Sequence, residues 1–115
     1  MIDYIEGHTL LINKPLRWTS FDIVKKIRNT LRSALQLKKV KVGHAGTLDP
    51  LADGLLIVCT GKFTKRINEY QAQEKEYTAE FTLGATTPSF DLETEVNETF
   101  DYNHITEDIL KKTAK

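Results

Sequence analysis

Asp49 stands between Leu48 and Pro50 in the segment Gly43-His44-Ala45-Gly46-Thr47-Leu48-Asp49-Pro50-Leu51-Ala52-Asp53-Gly54, which holds three glycines in twelve residues. Glycine admits backbone conformations and close approaches closed to other residues, and proline keeps the residue before it out of the helical region. The segment reads as a shaped loop that can aim a single carboxylate. A carboxylate so placed can serve as nucleophile, base or ion-pairing group. It can equally accept hydrogen bonds from loop amides, a common turn role for aspartate. The residue by itself leaves both open.

Other chemistry-bearing residues give less. Gly61-Lys62 lacks the glycine five residues upstream and the following Ser/Thr of a phosphate-binding loop. The single cysteine, Cys59, lies in an apolar run and excludes an internal disulfide framework. One cysteine with three scattered histidines gives no zinc spacing, so no metal is expected. His8 and His104 read as surface residues. Asn97-Glu98-Thr99 fits a glycosylation acceptor, which carries no meaning in a chain without a secretory signal.

The elements that must position Asp49 follow from periodicity. Thr9–Asn13 is an apolar run ended by Lys14-Pro15 and reads as a strand. Thr19 or Ser20 caps a helix with Asp22 in its first turn, and Val24, Ile27, Leu31 and Ala34/Leu35 supply the buried stripe. Residues 36–42 read as an exposed basic connection. Leu55–Thr60 reads as a strand buried on both faces, followed by a short helix near 62–71. Tyr77, Ala79, Phe81 and Leu83 alternate with Thr78, Glu80 and Thr82, which predicts a strand. A short strand near 96–100 and a helix from Thr106 complete the reading, and the chain stops at Lys115 without a cap or stop signal. The fold class is α/β of the α+β type, a mixed, largely antiparallel sheet with flanking helices.

The chain has 115 residues and formal net charge zero, but the balance conceals an asymmetry. Residues 1–66 carry twelve basic against five acidic residues, and residues 67–115 carry four against eleven. Lys25, Lys26, Arg28, Arg32, Lys38, Lys39 and Lys41 fall in seventeen residues without an acid. Such a stripe is a solvated helix face or a neutraliser of nucleic-acid phosphates. No apolar run reaches the ~20 residues that span a bilayer, and the N-terminus lacks a signal-peptide layout. A cytoplasmic globular piece without a membrane anchor is expected.

The whole string 43–56, with Gly61-Lys62-Phe63-Thr64-Lys65, resembles the catalytic motif of the TruB family of tRNA pseudouridine synthases. Lys14-Pro15 with Trp18-Thr19-Ser20 resembles the family's first motif, Lys75-Glu76-Tyr77 its tyrosine motif, and Phe81–Thr87 leading to Asp91 the strand and loop after it. The resemblance spans about residues 8–95. It implies isomerisation of a T-loop uridine of tRNA, conventionally position 55, to pseudouridine, without metal or organic cofactor. Asp49 then matches the essential aspartate, adding to C1′ or the base, or removing a sugar proton. Tyr77 matches the tyrosine that stacks on the target base, and His44 a histidine that holds the unstacked T loop open.

The resemblance makes Lys25, Lys26, Arg28, Arg32 and Lys65 candidates for RNA backbone contact. Gly43, Gly46, Thr47, Pro50 and Lys14 become candidates for loop support. The T arm of tRNA is the expected partner, with no obligatory protein partner. It further implies that residues 1–115 are the N-terminal portion of a catalytic domain and inactive alone. The arginine expected to pair with Asp49, the rest of the catalytic half and any C-terminal RNA-binding domain would come from elsewhere. Two other readings stand beside it: a guide-RNA-dependent synthase subunit, and a non-catalytic RNA-binding or tRNA-remodelling protein on the same scaffold.

Overall fold

The computed structural model describes all 115 residues, which divide into two compact units, Met1–Lys75 and Glu76–Lys115. The first unit is built on a three-stranded sheet in the order β1-β3-β2, with β1 Gly7–Lys14, β2 Val42–Ala45 and β3 Gly54–Gly61. Both ladders are antiparallel. Directly opposed residues share a face, so Leu10 with Val58, Ile12 with Leu56, and His44 with Val58 lie on one side.

Helix α1, Ser20–Ala34, covers that side. Its residues Ile23 and Val24 join Val40, Val42, Leu56 and Val58 in the core, with Leu10, Ile12, Ile27, Leu31, Leu37 and Leu48 packed around them. Full burial of side chains such as Leu56 and Val58 contributes about 1.5–3 kcal/mol each. Thr19 caps α1 through a reciprocal box. Its hydroxyl accepts from the Asp22 N–H at 2.9 Å, and its own N–H donates to Asp22 Oδ2 at 2.9 Å.

The other face of the sheet is partly covered by a 3₁₀ turn, Lys62–Arg66, and α2, Ile67–Gln71. Tyr70 and Thr9 share a hydroxyl–hydroxyl bond of 3.0 Å across this layer, and Ile67 fills the space left by the missing side chain of Gly43. The cover does not extend along the sheet, so Leu11 and Leu55 are 70% and 63% exposed. The expectation that the central strand is buried on both faces therefore fails at Leu55. The stripe expected to be buried along the helix likewise stops short, because Ala34 and the C-cap Leu35 are exposed.

Residues 36–42 are not the exposed connection that their charge suggests. α1 ends in a Schellman-type reversal: Leu37 N–H donates to Arg32 O at 2.9 Å and Gln36 N–H to Ser33 O at 3.4 Å, with Gln36 at φ 53. Leu37 then packs on the core, and Val40 and Val42 are buried beside it. Lys39 and Lys41 alternate outward.

The second unit holds a two-residue ribbon, β4 Ala85–Thr86 with β5 Glu98–Thr99, and α3, Glu107–Thr113, capped by Thr106. The strand expected over 77–83 is absent. A period-two pattern makes a strand only when a ladder partner is present, and the only ladder in this unit is β4–β5. Tyr77 and Phe81 are 69% and 84% exposed.

Candidate active site

The loop between β2 and β3 is shorter than the glycine pattern suggests, because Gly43, His44 and Ala45 belong to β2. It starts at Gly46, φ +94, and ends at Gly54, φ +119, both in the region that favours glycine. Neither glycine has a neighbour where a Cβ would stand, so backbone conformation is what each provides. Asp49 O accepts from Ala52 N–H at 2.9 Å, closing a turn with Pro50 at its second position, where the fixed proline φ suits.

The Asp49 side chain is exposed and has no hydrogen-bond or ion-pair partner; the ion pairs of the chain are Lys62–Glu6 and Lys111–Glu107. What fixes its direction is the chain on either side. Ser20, 2% exposed, donates its hydroxyl to Leu48 O at 3.2 Å and accepts from Leu48 N–H at 2.9 Å. Arg17 N–H donates to Pro50 O at 2.6 Å. Asp49 thus lies between two residues tied to the same β1–α1 turn.

That turn is itself braced. Lys14 is fully buried, and its ammonium donates to Pro15 O at 2.9 Å and Trp18 O at 2.5 Å. Burial without bonds would cost such a charge several kcal/mol, so these carbonyls satisfy what the fold encloses. Lys14 thereby ties Pro15 and Trp18 of the turn to one ammonium. Arg17 takes φ 69, a strained value for a residue with a side chain.

His44 Nδ1 lies 2.8 Å from Gly46 O. A carbonyl only accepts, so Nδ1 is the donor. The half-buried ring is thereby oriented at the loop entrance. Thr47 is exposed and Pro50 half-buried. Lys65 is exposed on the 3₁₀ turn, whose neighbour Thr64 donates to Gly61 O at 2.9 Å. Tyr77 belongs to the second unit, where it is largely exposed.

The basic stripe resolves into two concavities. One, of about 350 Å³, is lined by Arg17, Trp18, Asp22, Lys25, Lys26 and Asn29. The other, of about 480 Å³, carries Arg28 and Arg32 of α1. No group of three or more metal-ligating side chains is present.

Two features of the site escaped the sequence. Ser20 looked interchangeable with Thr19 as a cap, although two consecutive hydroxyls before one helix leave the second free for another partner. Arg17 gave no signal, because positive φ in a non-glycine residue is imposed by the surrounding fold.

The sheet thus carries a carboxylate-bearing loop bracketed by glycines and tied to a lysine-braced turn. Residues 32–115 match the TruB family pseudouridylate synthase (N terminal domain), and the chain belongs to that family. It is similar to proteins named tRNA pseudouridine synthase B. The one from Flavobacterium johnsoniae is 58% identical over 98% of this chain and 50% of its own length. For Parabacteroides distasonis the figures are 56%, 99% and 48%, and for Chloroherpeton thalassium 48%, 96% and 45%. The chain spans about half the length of these curated relatives.

Proposed function

We propose that the full-length protein carrying this chain isomerises uridine-55 in the T loop of tRNA to pseudouridine, with Asp49 as the essential carboxylate. The observation that carries this reading is the exposed, unpaired Asp49 side chain on a loop tied down at both neighbouring residues. Family membership and the names of the relatives support the reaction class.

The reaction breaks the N1–C1′ bond and makes a C5–C1′ bond. N1 gains a proton and C5 loses one, so nothing is oxidised and no cofactor is called for. Asp49 acts as nucleophile at C1′ or the base, or takes a sugar proton. In each case it must be ionised, and the oxocarbenium character that develops at C1′ favours a carboxylate beside it. A cationic partner, an arginine from the rest of the full-length chain, keeps it ionised once the site closes over RNA. His44, oriented by its bond to Gly46 O, contacts the opened T loop, and Tyr77 stacks on the everted base and receives or relays the C5 proton.

Everting the base costs a few kcal/mol, which backbone contacts from Lys25, Lys26, Arg28, Arg32 and Lys65 offset without reading sequence. Residues 1–115 are, on this reading, the N-terminal portion of the catalytic domain of a cytoplasmic enzyme.

The test is tritium release from tRNA labelled at uridine C5. The full-length protein is expected to release label at uridine-55, and Asp49→Asn to lower the rate by roughly a hundredfold or more. Full turnover by Asp49→Asn overturns the catalytic role. A wild type that speeds tRNA folding without releasing label makes the protein a remodelling factor instead. Dependence on an added guide RNA makes it a ribonucleoprotein subunit.

A further inference from the structure

Arg28 and Arg32 of α1 face Lys38, Lys39 and Lys41 across the 480 Å³ concavity. The reversal at Gln36 and Leu37 creates this arrangement, because it turns the chain back along the last turns of the helix. The lysines ride on anchored backbone: Val40, between Lys39 and Lys41, and Val42, just after them, are buried, and Lys41 O accepts from Gly61 N–H at 2.9 Å. Arg28 Nη2 donates to Val42 O at 3.2 Å, which pins one guanidinium against the floor. None of the five cations is in an ion pair, and no acid lines the basin. The neighbouring concavity, by contrast, includes Asp22 beside Lys25 and Lys26.

Five charges spread over two segments, none sealed from water, suit an extended polyanion. A single small anion needs convergent donors in an enclosed site, and none converge here. We propose that this basin is a sequence-blind dock for the phosphodiester backbone of the tRNA, distinct from the Asp49 loop, with Lys38, Lys39 and Lys41 as its principal contacts. The proposal rests on tRNA being the substrate. It assigns capture mainly to the 38–41 segment and leaves Lys25 and Lys26 a lesser share, since Asp22 offsets part of their charge.

The experiment uses the full-length protein. K38Q/K39Q/K41Q is compared with K111Q/K112Q/K115Q, which removes the same charge from the region of α3. Binding of tRNA and of a scrambled hairpin is measured from 50 to 200 mM salt. The basin variant is expected to bind both RNAs about tenfold more weakly at low salt, with the slope of log K against log salt shallower by about two to three. It should raise KM and keep kcat at saturation, and the lysine-to-arginine triple should restore binding. An unchanged slope, or a loss equal to that of the control triple, overturns the dock. Inorganic phosphate that displaces RNA beyond the effect of matched ionic strength makes the basin a small-anion site and overturns it too. Tritium release by the wild type separates the two readings. With release intact and the slope unmoved, only the dock fails; with no release and the slope moved, only the isomerase reading fails.

Discussion

The hydroxyl of Ser20 serves both backbone groups of Leu48, accepting its N–H at 2.9 Å and donating to its carbonyl at 3.2 Å across 28 residues of chain. One side chain thus sets the residue before Asp49. Ser20→Ala leaves both Leu48 groups without this partner, and the expected destabilisation is about 1–3 kcal/mol. On the proposed function, kcat of the full-length protein should fall about tenfold or more while KM for tRNA holds, because aim is lost and binding is not. Ser20→Thr keeps the hydroxyl and should recover most of kcat. Denaturant melting with tritium-release kinetics measures both effects.

Gly46 carries φ +94 with open space around it. Gly46→Ala meets no atom, so its cost is backbone strain alone, about 1–2 kcal/mol. Chemical denaturation should show that loss. A wild-type midpoint would mean the loop does not need this conformation.

Asp22 titrates below the ordinary carboxylate value of 3.8, chiefly because the Thr19 N–H, and next its hydroxyl bond, hold the ionised form. A folded pKa below the unfolded one gives stability that is complete above the unfolded value and lost as pH falls through the folded value. Acidification through the region below 3.8 should therefore loosen the start of α1. Thr19→Ala removes the hydroxyl and should move the Asp22 carbon resonance to titrate at higher pH. No movement would deny the capping box its electrostatic part.

Burial pushes the Cys59 thiol up, against a smaller opposing bond from Thr9. The thiolate fraction at neutral pH is correspondingly small, and the sulfur is fully enclosed. Iodoacetamide should leave native protein unmodified at pH 7.5 and alkylate it fully in denaturant, as read by mass spectrometry.

The alternation from Tyr77 to Leu83 has no ladder partner within residues 1–115, and the proposed function places that partner in the rest of the full-length protein. Residues 1–115 alone should release no tritium and should be cut by protease within 76–83. The same bonds should resist cleavage in the full-length protein. Label release by the short chain at a full-length rate would refute this.

Elements whose signals are local were legible in the sequence. The spacing of Val24, Ile27 and Leu31 and the hydroxyls before them located α1, and the apolar runs located β1 and β3. Asp49 was singled out by its glycine-bounded setting, and the motif match over about residues 8–95 pointed to its family. What escaped depended on partners distant in sequence. The 77–83 pattern is a pairing signal, and pairing is a property of two segments. Charge at 38, 39 and 41 masked the burial of Val40 and Val42, which only the reversal at Gln36 makes possible. Arg17 acts on the loop through its backbone N–H, which leaves no trace in residue type, and the hydroxyl of Ser20 finds its partner 28 residues away in Leu48.

The strand order leaves β1 at a margin of its sheet, eight residues long and without proline. A margin of that kind is a template, since main-chain amides and carbonyls accept another strand whatever its side chains. Leu11, projecting from it into water, adds an adhesive patch. Concentrated preparations of this stretch should consequently self-associate through that flank, and a proline or a lysine introduced there would curb the tendency without disturbing the glycine-bounded turn.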